Sequence, residues 1–284
     1  MYNKPRDATL TDYSVLDLTD EKGSLCVKLL SGMGADVTRI NLEKREEQSR
    51  LRSLTKKADV LIETFQPGYL ASLGMGYQDL VKINPRLIMV SITHFGQSGP
   101  YRDLKSSDLI NQALGGWLSV TGEAAKPLKL CGAQSYNTAS LFAVNGILLA
   151  LRQRHATGEG QHIDISILEC VAATIDHVLP RQFYSGVVAE RQGSRHWNDA
   201  FDVLPCRDGY ILISLHQHWD TLVEWLASEG MAEDLTEAKW KDREKRNRHI
   251  DHILKVLEKW TLSHKVDELV EKGQLMRFPW AGIT

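Results

Sequence analysis

The chain has 284 residues, 43% of them hydrophobic and 25% charged, an ordinary globular composition with room for one large domain or two modest ones. A formal net charge of −2 offers no basic surface for a nucleic acid, and no stretch reaches the ~18 apolar residues of a membrane span. The polar start Met1–Thr11 is no signal peptide, and four scattered cysteines (Cys26, Cys131, Cys170, Cys206) without a CxxC read as buried, reduced thiols, so a soluble cytoplasmic protein is expected.

The first half alternates short apolar runs with helical patterns. Strands are expected at Ser14–Leu18, Ala35–Ile40, Ala58–Phe65 and Arg86–Thr93. Helices are expected between them at Ser24–Gly32, Lys44–Lys57 (Leu51 and Leu54 inward) and Tyr77–Ile83. Such alternation predicts an α/β fold, a Rossmann-like large domain with a mostly parallel sheet. From Ser106 the pattern turns helical. Thr138–Arg154 is the strongest helix, with Leu141, Val144, Leu148 and Leu151 as its inward stripe. A strand at Gln161–Ile167 and a helix at Leu168–Val178 follow. The polar stretch Arg191–Asp199 marks a transition, giving a large domain over 1–190 and a smaller α+β domain over 191–284. The small domain opens with a strand at Tyr210–Leu215. Three helices come after it, the longest carrying Ile250, Ile253, Leu254, Leu257 and Trp260 on one face. Lys239–Arg248, with alternating charge sign, reads as a solvated helix face.

No GxGxxG, P-loop or GxSxG is present, so dinucleotide, ATP and α/β-hydrolase chemistry have no fingerprint. His216 and His218 sit two apart at a strand end with no third ligand at a useful spacing, and no metal is expected. Three stretches are more informative together: Gly34-Ala35-Asp36-Val37 at a strand entry; Thr64-Phe65-Gln66-Pro67-Gly68 at a strand exit; and the glycine-rich Phe95-Gly96-Gln97-Ser98-Gly99-Pro100-Tyr101, followed by Asp108. The last two leave the carboxyl ends of parallel strands, where open α/β sheets bind ligands.

In order and spacing these stretches resemble the family III CoA-transferases of the CaiB/BaiF type, which include formyl-CoA, carnitine-type and benzylsuccinate-type transferases. Asp108–Gly122, Leu148–Ile167 and Arg191–Ser214 extend the resemblance over nearly the whole chain. The resemblance implies an interlocked dimer of ring-like subunits, with CoA or acyl-CoA as substrate at the Rossmann-like domain and no tightly bound cofactor. It also implies acyl transfer through anhydride and thioester intermediates on an aspartate, a form of covalent catalysis. Carried over residue by residue, the CoA contacts fall on Thr64, Phe65 and Gln66, with Lys105 near the phosphates as a point charge. Ser72 stands where relatives carry an arginine.

The pattern breaks at the nucleophile. An ungapped register from the Gly146–Leu151 helix puts Tyr136 at the family's aspartate, and Cys131–Val144 contains no Asp or Glu. A phenol with a pKa of ~10 cannot form the mixed anhydride. The racemase branch, with a His and an Asp about the substrate's α-carbon, fails too, because Ser107 and Tyr136 occupy those places. The link between Ile40 and Lys44 is shorter than in relatives, and the helices with which relatives return to the large domain after Thr284 are absent. The reading is a non-catalytic subunit of a heteromeric CoA-transferase, whose homologous partner supplies the aspartate. Succinyl-CoA as donor and a benzylsuccinate-like acid as acceptor come from the branch. The alternatives are an active homomer with a displaced nucleophile (Glu123 or Asp108) and a non-enzymatic CoA-binding scaffold. Trp117, Phe142, Trp197 and Phe201 are candidates for an apolar acyl pocket.

Overall fold

A computed structural model of the chain describes residues 8–196, 201–214 and 217–283. These fall into two compact units, Met1–Val120 with Leu128–Val188, and Thr121–Pro127 with Ala189–Thr284. In chain order the first unit holds β1 (Ser14–Leu18), α1 (Ser24–Gly32), β2 (Asp36–Arg39), α2 (Arg45–Thr55), β3 (Val60–Glu63), α3 (Tyr69–Ser72), α4 (Tyr77–Leu80), β4 (Ile88–Thr93), α5 (Asp108–Leu114) and α6 (Trp117–Val120). The hairpin β5 (Gly122–Glu123) and β6 (Lys126–Pro127) belongs to the second unit. The first unit resumes with α7 (Gln134–Thr157), β7 (His162–Ser166), α8 (Ile167–Ala173) and α9 (Val178–Ser185).

The five strands form one parallel sheet in the order β2-β1-β3-β4-β7. Side chains alternate across a strand, and here both faces are covered. Val15, Val60, Ile62, Val90 and Ile92 pack under α1 and α7, while Leu16, Leu18, Leu61 and Met89 pack against Leu51, Leu70, Met75 and Leu80. The short Ile40–Lys44 link closes compactly, with Ile40 and Leu42 both buried.

In α7 the structure keeps the expected stripe at Val144, Leu148 and Leu151 but not at Leu141. The helix begins at Gln134, ahead of the predicted Thr138. Its buried face is Tyr136, Ala139, Ser140, Ala143, Val144, Ile147, Ala150 and Leu151, whereas Leu141 is 51% exposed. Small residues among them, Ala139, Ser140, Ala143 and Ala150, let the helix backbone approach α1 and β4 closely. Arg154 closes that face. Its guanidinium donates to Asp59 Oδ1 at 2.8 Å and to the Arg86 carbonyl at 2.9 Å.

The second unit continues with β8 (Phe201–Cys206), β9 (Gly209–Ser214), α10 (Trp219–Ser228), α11 (Arg243–Arg248), α12 (Ile250–Thr261), α13 (Val266–Leu275) and β10 (Ala281–Ile283), and has an antiparallel sheet ordered β10-β9-β8. Its core gathers Trp225, Trp260, Phe278 and Trp280 with Ile253 and Leu257. The segment Lys239–Arg248 is not one solvated helix. A 3₁₀ turn (Ala238–Lys241) precedes α11, Trp240 and Arg246 are buried, and the Arg246 guanidinium caps the Trp240 carbonyl at 2.6 Å. The segment turns back on itself, and those carbonyls need a buried donor. Cys26, Cys170 and Cys206 are buried free thiols, but Cys131, in the loop before α7, is exposed. Among the described residues no helix is long and apolar enough to cross a membrane.

Candidate active site

Three strand ends build the site. After β3 the chain turns through Thr64–Gly68. Gly68 sits at φ +86°, a left-handed conformation that glycine adopts without strain, and this swings the backbone into α3. After β4, Thr93 and His94 lead into the glycine loop, whose Gly96 (φ +84°) lies where an added Cβ would come within 3.4 Å of the Asp164 carboxylate of β7. After β1, Thr19–Gly23 wraps the near side. These segments and the Arg102–Ser106 stretch enclose a cleft of about 240 Å³.

Thr64, Phe65, Gln66 and Lys105 all line this cleft. The Thr64 hydroxyl is buried and accepts the Asp20 N–H at 2.9 Å, which ties the β1 loop to the β3 turn. Phe65 packs on Tyr69, ring centroids 4.7 Å apart. Two further cations line the same space, Lys22 and Arg102. Lys22 is paired with Asp20, and that pairing helps hold the Asp20 carboxyl below the usual range against its burial. Thr93 is 4% exposed and its hydroxyl has no hydrogen-bond partner. Three cations and an unpaired buried hydroxyl around a small cleft make a site for an anion with several acceptor oxygens. Lys22 and Arg102 escaped sequence reading. They are isolated basic residues in two loops, and only the fold brings them together.

Residues 38–284 match the family model of CoA-transferase family III. The chain belongs to that family. Among its relatives are a succinyl-CoA–D-citramalate CoA-transferase of Chloroflexus aurantiacus (33% identity over 81% of this chain and 58% of that protein) and subunit BbsE of the succinyl-CoA:(R)-benzylsuccinate CoA-transferase of Thauera aromatica (29% identity over 92% and 75%). A third is the succinate–glutarate CoA-transferase of Agrobacterium fabrum, 36% identical over 62% of this chain and 44% of that protein. The chain thus spans 58% of the first relative's length and under half of the third's. A crystal structure of a CaiB/BaiF family protein from Brucella suis has TM-score 0.86 and 26% identity, covering 98% of this chain and 85% of that one.

In this family III chain the α7 N-terminus carries no carboxylate. Tyr136 lies in the first turn of α7, 5% exposed, with its ring centroid 6.0 Å from that of His94. Burial, then the charges of Glu21 and Asp108, push its phenol up to about 12. Asp108, the acid that opens α5, is fully engaged. It accepts the Ser135 N–H at 3.0 Å, the Ser135 hydroxyl at 2.7 Å and Gln112 Nε2 at 2.8 Å, and pairs with Lys129 at 2.7 Å. Those partners outweigh its burial and hold its carboxyl below the usual range. Asp108 therefore caps α7. Glu123 lies on the hairpin of the other unit.

His94 is kept neutral by burial and by the nearby Lys22, and its Nδ1 is 2.9 Å from Asn111 Nδ2. Ser107 caps α5 by accepting the Ile110 N–H at 3.4 Å. Ser72 donates to the Tyr69 carbonyl at 2.7 Å within α3. Trp117 is buried and donates to Thr174, Phe142 is 41% exposed, Phe201 belongs to the second unit, and Trp197 lies outside the described residues. His216 also lies outside them, while His218 is exposed at the start of α10. Among the described residues no group of three His, Cys, Asp or Glu is placed to hold a metal.

Proposed function

We propose that this chain is the CoA-binding, non-nucleophilic subunit of a heteromeric CoA-transferase. Its partner is a homologous chain that carries the aspartate. CoA enters as substrate, with no tightly bound cofactor. The observation that carries this reading is the first turn of α7. The position that the family register gives to the aspartate holds a buried tyrosine, and the neighbouring carboxylate Asp108 is committed to capping the same helix. A nucleophile must be ionised and free to move onto the acyl carbon. A phenol pushed up to about 12 and packed in the core is neither.

The cleft at Thr64–Gln66 supports CoA binding. Lys22, Arg102 and Lys105 present cations to the phosphates, and Phe65 with Leu104 offers an apolar wall. In the complex, the partner's aspartate oxygen attacks the donor thioester carbonyl and expels CoA thiolate, forming an acyl-aspartyl anhydride. The thiolate then attacks the aspartyl carbonyl and releases the donor acid, leaving an aspartyl-CoA thioester. The acceptor carboxylate attacks that thioester and receives CoA through a second anhydride. The binding energy of CoA is used at every step, so the intermediates are kept from water. Relatives named for succinyl-CoA and for carboxylic acids support succinyl-CoA as donor and a dicarboxylic acid of benzylsuccinate type as acceptor. A cytoplasmic location goes with that chemistry and with three buried free thiols.

The test is expression of the chain alone and with homologous subunits. The expected result is CoA binding by the chain alone, with acyl transfer only in the pair. Robust transfer by the single chain that survives Tyr136→Phe overturns the reading. A hydroxylamine-trapped adduct on Asp108 or Glu123 would instead establish a displaced nucleophile.

A further inference from the structure

His94 follows β4 and stands between the cleft, which it lines, and the first turn of α7, where its ring centroid is 6.0 Å from that of Tyr136. Its backbone carbonyl accepts the Leu168 N–H at 3.0 Å, which pins the residue to the start of α8. The ring is held at one nitrogen. Nδ1 is 2.9 Å from Nδ2 of Asn111, a side chain on α5 that is 0% exposed. Asn111 is oriented in turn by Ser106, whose hydroxyl donates to its Oδ1 at 3.0 Å. An amide whose oxygen accepts the serine proton offers its N–H to the ring. Nδ1 is then the acceptor, and the ring proton sits on Nε2. Nε2 itself has no hydrogen-bond partner among the described residues. The adjacent Thr93, with its buried and unpartnered hydroxyl, lines the same cleft. The end of β4 thus brings to the cleft two polar groups that the fold leaves unused.

We propose that Asn111 fixes His94 as an Nε2–H donor, and that this donor binds the carbonyl oxygen of a CoA thioester in the cleft. The ligand's identity as a CoA thioester rests on the function proposed above; the tautomer does not. Lys22, Arg102 and Lys105 already supply the charge that phosphates need. The Asn111 contact keeps His94 from adding a further cation. A second proton on the ring would set Nδ1–H against Nδ2–H, and turning the amide to relieve this would break its bond to Ser106. Burial and the Lys22 charge work in the same direction, against Asp20. A neutral donor suits a neutral oxygen. With the phosphates drawn to the cations, the acyl end of the ligand is the part that reaches the α7 side of the cleft, where His94 stands beside Tyr136. No carboxylate is present there to attack, so the contact selects the thioester. His94 is thus a specificity-determining residue, and Asn111 and Ser106 are positioning residues.

Calorimetry on the full chain compares acetyl-CoA with S-ethyl-CoA, a thioether with a methylene in place of the carbonyl. The wild type is expected to bind the thioester about fivefold more tightly. His94→Phe should lose that preference. His94→Gln, which keeps a side-chain N–H near the place of Nε2, should regain part of it. Equal affinity of the wild type for the two ligands, or a preference that survives in His94→Phe, overturns the proposal and leaves CoA binding in place. Binding of neither ligand removes the CoA reading and the thioester contact together. Long-range proton–nitrogen correlation spectra of the histidine-labelled wild type need no variant to fold beyond the one that assigns the signal, His94→Gln. At neutral pH the His94 proton is expected on Nε2, and Asn111→Ala should return the ring to a mixture of tautomers. A wild-type proton on Nδ1, or a His94 signal unmoved by Asn111→Ala, overturns the proposal.

Discussion

The β3–α3 turn and the first turn of α7 belong to one compact unit and are built on opposite logic. The first gathers charge. Lys22, Arg102 and Lys105 converge on a cleft beside a hydroxyl with no partner. The second has charge removed or tied down. Tyr136 is in the core, and Asp108 caps the helix with Ser135, Gln112 and Lys129 around it. On the proposed function, a family III chain keeps a surface suited to a CoA anion while a partner supplies the group that makes acyl transfer covalent. Binding needs several weak, additive contacts spread over three loops, whereas covalent catalysis needs one atom in one ionisation state, and a single substitution removes it.

The largest effects come from trying to break that contrast at α7. In the pair, changing the partner's aspartate to Asn should lower acyl transfer by about 10³-fold or more, while Tyr136→Phe here should change it by less than about twofold, measured as kcat with a succinyl donor. Tyr136→Asp in the isolated chain should not create activity. Burying a carboxylate near Asp108, Asp20 and Glu21 should instead cost about 3 kcal/mol in urea unfolding, and a folded, active variant would refute the contrast.

Packing effects come next. Ile147→Ala on the fully buried face should cost about 3 kcal/mol by the same assay. Glu63, the buried acid that ends β3, gives a pH test. Burial raises its folded pKa above the unfolded value, so the native state holds the proton more tightly. Stability is then fully present below about pH 4.5 and falls as pH rises toward 7 and the carboxyl ionises in its buried place. Glu63→Gln should remove that fall, and the difference between the two stability curves should reach roughly 3 kcal/mol at pH 8. A parallel pair of curves would mean that Glu63 titrates normally.

At the cleft, Lys105→Ala should weaken CoA binding by about 10-fold with a shallower salt dependence, read by calorimetry. The smallest effect belongs to Leu141→Ser. Half-exposed on α7, it should change the stability of the isolated chain by less than about 0.5 kcal/mol.

Much of the first unit was legible because its signals are local. Short β-branched runs bounded by Gly, Pro or Asp predict strands. The observed β1 and α1 coincide with the predicted Ser14–Leu18 and Ser24–Gly32, since a strand or helix whose hydrophobic period agrees with its packing has only one way to lie. On α7, Leu141 was misplaced for the converse reason. Leucines mark an apolar surface, but close packing on a sheet selects small side chains, and which face is close depends on β4 and α1. The β5–β6 hairpin and β8 carry too few alternating residues to be seen without their partners.

For the site, the family resemblance put Thr64, Phe65, Gln66 and Lys105 forward and set Tyr136 at the expected place of the aspartate. It could not join Lys22 and Arg102 to the Thr64–Gln66 turn, because they stand 36 to 44 positions away along the chain. The sequence by itself determined the alternating α/β plan, the family and the absence of a carboxylate between Cys131 and Val144, all properties of residue type and spacing. Only the tertiary structure decided which cations share a cleft, which acid caps α7 and which carboxyl is buried behind the turn. Those are matters of distance and desolvation, and both are set when the strands align side by side.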